Sequence, residues 1–419
     1  MSTAMAIVAV IFLAIAIILG FAKNINTGIA AMALALVAGA IASIGDSDII
    51  SGFPTNTFII LLGVMFYFGI IQEIGGLHLL VRKIMVAVGG HVKLLPFVVL
   101  YLSMVISGIG VGPVPTISIM TLISVTMAME IGLNPFIFML MSSIGSVIGS
   151  CSPISLVGLI ATDLMNGMGF YGGEWPFFIN AIIGHSITAF ILCCILKFFK
   201  MRPEKLVSGE SLPSFTKKQV ASLLSIVVFI VLVGVFKFHV GLSGLLLGLI
   251  LCLLGFADDK TVVKNMPWST LIMICGVNLL MEIVSLTGGI DILNNALISI
   301  MNRYTALPIM TLASGILSIF STTSSVVVPT MLPTIPAIVE QFPAISSAQL
   351  VGAIVNGSYA SSISPLSAGG GTALASFIAL VGTGNNAEGK YFKKLLTFSI
   401  INLILMTLVG FLGNWIYLK

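Results

Sequence analysis

A chain of 419 residues in which 58% are hydrophobic and 8% charged is far more apolar than a soluble protein and reads as a polytopic membrane protein. The formal charge of +4 gives no sign of nucleic acid as a partner, because in a bilayer the placement of charge carries the information. Five cysteines, Cys151, Cys193, Cys194, Cys252 and Cys275, stand in apolar stretches without metal-type spacing, so reduced, unpaired thiols and no cofactor are expected.

In chain order the first half predicts spans near 4–21, 25–44 and 57–74, then an amphipathic interfacial stretch from Leu77 to Val88. The first run is too long for the core of a signal peptide and has no basic residue before it, which keeps it as a span with an outward amino end. Leu94–Ile106 and Thr116–Glu130 are two short apolar helices separated by Ser107-Gly108-Ile109-Gly110-Val111-Gly112-Pro113-Val114-Pro115. No helix tolerates that run, so the pair predicts a re-entrant hairpin. Asn134–Met165 follows as a broken span and Pro176–Phe199 as a full one.

Past a polar linker the order returns. Spans are predicted near 219–238, 240–256 and 269–287, with an interfacial stretch over Ile290–Asn302. A second hairpin has arms Pro308–Phe320 and Val326–Val339 around Ser321-Thr322-Thr323-Ser324-Ser325. A broken span covers 347–382, and Leu395–Tyr417 is the last crossing. The recurrence reaches single residues: Pro54, Thr57, Gly63 and Gly75 match Pro267, Thr270, Gly276 and Gly288 at an offset of 213. Gly145, Ser150, Ser152, Pro153, Ser155 and Gly158 match Gly357, Ser362, Ser364, Pro365, Ser367 and Gly370 at 212.

The expected architecture is therefore all-α: two inverted repeats, 1–200 and 219–419, joined by a cytoplasmic linker at 201–218. Each repeat has five transmembrane spans, one of them broken, plus one re-entrant hairpin. An odd number of crossings per half turns one half upside down relative to the other. Charge supports the orientation: with the linker inside, Lys23, Arg82, Lys83, Lys93, Lys260, Lys264, Lys390 and most other basic residues are cytoplasmic, leaving Lys237, Arg303 and Lys419 outside. Both termini are then outside a cell (inner) membrane.

Pro153 and Pro365 lack the N–H that a helix needs, so each broken span should part into two half-helices, and in lipid freed backbone groups survive where they are buried or line a cavity. Amino ends of half-helices attract anions, whereas carboxyl ends and unwound carbonyls attract sodium. Serine and threonine hydroxyls crowd the same places and no lysine or arginine does. An anion there needs a co-bound cation, which predicts a sodium-coupled symporter. The candidate substrate residues are Ser107, Gly108, Ser152, Pro153, Ser155, Ser321, Thr322, Thr323, Ser364, Pro365 and Ser367. The candidate sodium ligands, partly through backbone carbonyls, are Ser107, Gly110, Ser150, Cys151, Thr323, Ser325, Asn356 and Ser362.

On these tips and breaks the layout resembles the ion transporter superfamily, especially divalent-anion:sodium symporters and MatC-type dicarboxylate carriers. The asparagines of that pattern are missing, since the tips read Ser107-Gly108-Ile109 and Ser321-Thr322-Thr323, and the breaks read Ser152-Pro153-Ile154-Ser155 and Ser364-Pro365-Leu366-Ser367. The resemblance implies an elevator transporter, a homodimer, and a small C3 or C4 dicarboxylate such as malonate, succinate, fumarate or malate as cargo. A proton-coupled organic anion carrier or antiporter is the alternative. His185 reads as a hydrogen-bonded packing histidine before a proton carrier. A rival reading, an intramembrane serine hydrolase, rests on Gly241-Leu242-Ser243-Gly244 with His239 or His185 as base; the match is short, and the chain is not expected to be an enzyme.

Overall fold

The computed structural model describes residues 3–23, 25–88, 92–203, 212–236, 238–266, 268–319, 321–381 and 387–412, and every regular element among them is helical. The first half gives α1 (Thr3–Lys23), α2 (Thr27–Ala42), α3 (Asp46–Ser51), α4 (Thr55–Ile74), α5 (Gly76–Val88), α6 (Leu95–Ile106), α7 (Pro113–Glu130), α8 (Pro135–Ser150), α9 (Leu156–Gly167) and α10 (Glu174–Ile195). The second gives α11 (Lys217–Gly234), α12 (Val240–Leu253), α13 (Asp259–Asn265), α14 (Trp268–Leu286), α15 (Gly289–Ser299), α16 (Ala306–Ile319), α17 (Val328–Met331), α18 (Ile335–Gln341), α19 (Ser347–Ser361), α20 (Ala368–Val381) and α21 (Ala387–Leu412). Residues 204–211 of the linker, Phe320 in the second hairpin, the end of the last span past 412, the carboxyl terminus, and Lys205, Lys237 and Lys419 of the charge pattern lie outside the described residues.

Five described stretches are long and apolar enough to cross a bilayer, Thr55–Ile74, Val92–Val111, Pro113–Glu130, Glu174–Ile195 and Gly389–Phe411, and seven further apolar helices are shorter. The short ones include three half-helices of the broken spans, α8, α9 and α20. The chain is a multi-pass membrane protein. Helix starts recur along it: α2 and α12, α3 and α13, α4 and α14, α5 and α15, and α10 and α21 begin 213 residues apart, and α8 and α19, like α9 and α20, begin 212 apart.

Two features depart from the sequence expectation. The short helices α3 and α13 were not foreseen, because a run of six or seven residues is below the window in which helical periodicity is visible. The second arm of the second hairpin is not one helix but a π-turn at Thr323–Val327, then α17, a 3-10 turn at Leu332–Thr334 and α18. Pro329, Pro333 and Pro336 each remove a main-chain donor from that arm, and the ladder breaks at this spacing.

The scaffold is held by two reciprocal glycine contacts. A Cβ at Gly63 of α4 would fall on the carbonyl of Gly241 in α12, and a Cβ at Gly276 of α14 would fall on that of Gly28 in α2. Gly28 and Gly241 stand 213 apart, as do Gly63 and Gly276, so the same backbone-to-backbone approach is made twice. Small residues permit this approach in lipid, where dispersion between close helices replaces the hydrophobic drive. The Gly241-Leu242-Ser243-Gly244 stretch belongs to this seam. Ser243 is buried, and His239 caps α12, its Nδ1 accepting from the Leu242 amide at 3.3 Å while Nε2 meets Asn56 Oδ1 at 3.1 Å. Gly63→Ala should lower thermal stability in detergent by about 1–3 kcal/mol through overpacking, whereas Ser243→Ala should melt and transport like the parent. An unchanged melting temperature for Gly63→Ala would show that the seam can open.

Beside the scaffold, α8 and α19 are buried almost residue by residue, Phe136–Ser150 and Ala348–Ser361. Burial on all sides makes them the central posts. Asn134 caps α8 by accepting from the Phe136 amide at 3.1 Å, and Ser346 with Gln349 forms a reciprocal capping box on α19. The first hairpin packs α6 and α7 on α8; the second packs α16 on α19.

Candidate functional site

Each hairpin tip is a five-residue π-turn, Ser107–Val111 and Thr323–Val327, a form that collects at functional sites because it leaves main-chain groups unpaired. In the first tip Gly110 and Gly112 have φ of 114° and 86°, backbone that only glycine adopts without strain. The second tip has no glycine and is made of hydroxyl residues.

The breaks are built alike. In the first, the Ser155 amide donates to the Ser152 carbonyl at 2.9 Å, and in the second the Ser367 amide donates to Ser364 at 2.9 Å. The hydroxyls of Ser152 and Ser364 accept from the Ile154 and Leu366 amides at 3.3 and 3.2 Å. The two differ in what ties them to a tip. Ser152 Oγ donates to the Gly108 carbonyl and Ser155 Oγ to the Ser107 carbonyl, each at 2.6 Å. Ser367 Oγ instead stays within its own break, donating to the Ser362 and Ser364 carbonyls.

A cavity of about 660 Å³ lies between tips, breaks and the scaffold helices α4 and α14. Seven of the expected residues line it: Gly110, Ser321, Thr322, Thr323, Ser325, Ser362 and Ser367. The others do not. Ser107, Gly108, Ser152 and Ser155 stand behind the wall, locking the first tip to the first break. Pro153, Ser364 and Pro365 shape the turns without lining the cavity, and Cys151 is buried, its thiol against the Val147 carbonyl at 3.5 Å.

Ser150 is engaged by Tyr359, whose hydroxyl donates to its Oγ at 2.8 Å. Asn356 faces α10 rather than the cavity; its amide nitrogen lies 3.6 Å from where a Cβ of Gly184 would stand. Both polar atoms of Asn356 are buried without a hydrogen-bond partner. So are Ser107 Oγ, behind the first tip, and Ser325 Oγ, in the second. His185 is fully buried with neither ring nitrogen partnered, which corrects the expectation of a hydrogen-bonded packing histidine.

Sequence reasoning missed Tyr359, Phe68, Gln72, Glu73 and Ser269 on the cavity wall, together with Ala368 and Gly369. Tyr359 could have been found, since it stands three residues before Ser362 on one face of α19. The Gly369-Gly370-Gly371 run was a second signal, because glycines directly after a break mark close approach of backbone. A Cβ at Gly370 would fall on the Ser364 and Ile363 carbonyls.

Electrostatically the wall is unusual. Among the described residues it carries no lysine, arginine or histidine, and Glu73 is its charged member. Beside hydroxyls it offers main-chain amides: among the described residues those of Thr323, Ser324 and Ser325 at the second tip, and of Ala368 and Gly369 at the start of α20, have no acceptor. Helix starts with open N–H groups and a positive dipole end hold carboxylates or phosphates without any basic side chain.

A family model described as citrate transporter (CitMHS) matches residues 4–356. The chain belongs to this family. No curated protein matches it. Among solved structures, the YdaH transporter of Alcanivorax borkumensis, reported to have an unusual topology, is similar over 88% of this chain and 87% of that one, with a TM-score of 0.58 at 13% identity. That likeness is one of fold. Membership of the citrate transporter family makes the protein a secondary transporter and not an enzyme, as the ion transporter resemblance of its tips and breaks implied.

Proposed function

We propose that this citrate-transporter family member carries a small dicarboxylate across the cell membrane in symport with sodium, by elevator-type alternating access in a homodimer. The observation that carries the reading is the pair of amide clusters, at Thr323–Ser325 and at Ala368–Gly369, on the wall of a cavity without basic side chains. Each cluster suits one carboxylate, and two carboxylates suit a diacid. Citrate, which the family's name carries, has the same end groups and belongs in the same assay.

Sodium offsets the second charge. The unpartnered, buried Ser107 Oγ and Ser325 Oγ supply one oxygen near each tip, and the carbonyls of the unwound turns supply the rest. Sodium accepts such hard, neutral oxygen ligands. The halves lie inverted in the bilayer in this reading, so the first hairpin enters from the cytoplasm and the second from outside. A site between their tips cannot open to both solutions at once, and the hairpins, breaks and α9 and α20 move it past α4 and α14.

The test is uptake of labelled succinate, malonate and citrate into proteoliposomes. An inward sodium gradient should drive accumulation, and a proton gradient in sodium-free buffer should not. Accumulation driven by protons alone would favour the second reading, proton coupling, for which His185 with its unpartnered ring is the carrier group. His185→Gln then separates the two, since it should abolish proton-driven uptake and leave sodium-driven uptake standing.

A further inference from the structure

The side-chain hydroxyls on the cavity wall are divided unequally between the two halves of the chain. Every hydroxyl on its wall comes from the second half: Ser321–Ser325, Tyr359, Ser362, Ser367 and Ser269. Open amides stand in both halves, since those of Gly112, Val114 and Leu156 also line the cavity and have no acceptor among the described residues. The side chains that the first half presents are mostly carbon, from Phe68, Val64 and Met65 of α4, Val111 and Val114 of the first tip, and Leu156 of α9; its two polar lining side chains, Gln72 and Glu73, stand together at the carboxyl end of α4. The Thr116 hydroxyl, the nearest that the first tip could offer, is turned onto the Gly112 carbonyl at 2.7 Å, and those of Ser152 and Ser155 are held by the tip carbonyls.

A symmetric diacid with polar surroundings at each end has no use for such a wall. The volume, about 660 Å³, lies in the range that encloses drug-sized ligands, ~300–1,000 Å³, and leaves room beyond a C4 diacid. We infer that the preferred substrate is a carboxylate anion bearing an apolar substituent. Its carboxylates sit on the amides of the second tip and α20, and its alkyl or aryl group lies against Phe68, Val64 and Val114. This deepens the proposal of a carboxylate carrier and rests on it. A hydroxylated acid is disfavoured in that position, because a hydroxyl facing those carbons loses water and gains no partner.

The experiment is ligand-induced thermal stabilisation of the purified full chain in sodium buffer, titrated with malonate, methylmalonate, ethylmalonate, propylmalonate and hydroxymalonate, with butyrate as a control for non-specific partitioning. Each added methylene should tighten binding about fourfold, the ordinary gain for moving a CH₂ out of water. Hydroxymalonate should bind more weakly than malonate, and butyrate should not stabilise. Val114→Thr should lower the propylmalonate-to-malonate affinity ratio, a readout that a loss of folding alone does not produce.

A flat or falling series, with malonate still bound, would overturn the inference and leave the carrier reading intact; the apolar wall would then be the surface past which the site slides. A series in which butyrate gains as much as propylmalonate would also overturn it. Absence of binding by every acid, with a cooperative melt and no sodium-driven uptake of succinate, malonate or citrate, would remove the carboxylate reading and this inference with it.

Discussion

Uptake by a Gly370→Ala variant should fall about tenfold to a hundredfold, with Gly371→Ala close to the parent beside it. The added methyl at Gly370 would meet the carbonyl oxygens of Ser364 and Ile363 inside the second break, whereas at Gly371 the nearest atom is the Pro365 carbonyl oxygen at 3.5 Å, an ordinary contact. Forcing an extra carbon into a packed turn costs about 1–3 kcal/mol, and here the cost falls on the start of α20, where Ala368 and Gly369 line the cavity and their amides have no acceptor among the described residues. Gly158→Ala repeats the lesion in the first break, against the Ser152 carbonyl. Initial uptake rates, normalised to folded protein by size-exclusion chromatography, decide the matter. A Gly370→Ala protein retaining more than half the parental rate would mean that the exact path of this break does not matter for binding.

The second large effect is expected at Asp163. This carboxylate, near the end of α9, accepts from Asn56 Nδ2 at 2.7 Å and from Thr57 Oγ1 at 2.6 Å, both at the start of α4, and Asn56 is steadied in turn by His239. It ties α9 to α4, two helices that the proposed elevator motion would slide past each other. Hydrogen bonds to a charged group contribute about 1.5–3 kcal/mol each way they are lost, so Asp163→Ala should shift the balance between conformers roughly tenfold to a hundredfold away from the one described here. In the orientation expected from the basic residues, the latch is on the outer side. Cysteines placed at Ser324 in a cysteine-free background should therefore react faster with an impermeant thiol reagent from outside once Asp163 is replaced. Equal rates in the two backgrounds would show that the latch does not hold the outer side closed.

Much of the organisation was legible because it depends on neighbours in sequence. Pro153 and Pro365 remove donors wherever they stand, so the half-helix pairs α8/α9 and α19/α20 were readable from the chain. Glycines and prolines between Ser107 and Pro115 marked the first tip, and the second tip followed from its matched place. Part of the cavity wall was visible as well, since Ser321–Thr323 and Ser367 line it. The expected residues that do not line it share a cause. Ser152 and Ser155 looked like ligands for a carboxylate, but their protons go to carbonyls more than forty residues away, and Asn356 looks toward Gly184 of α10 instead of the cavity.

The sequence by itself determined that the chain is a helical membrane protein, where its long helices start and where its two broken spans part, and that hydroxyls and open backbone gather at four matched places. Each of those properties is set within a few residues, by apolar run length, by missing donors and by side-chain type. Tertiary structure alone decided which hydroxyls are consumed as ties and which line the cavity, that Gly63 meets Gly241 while Gly276 meets Gly28, and that every hydroxyl on the described cavity wall comes from the second half. Those outcomes depend on partners distant in the chain, and a serine's type does not record the carbonyl it will find.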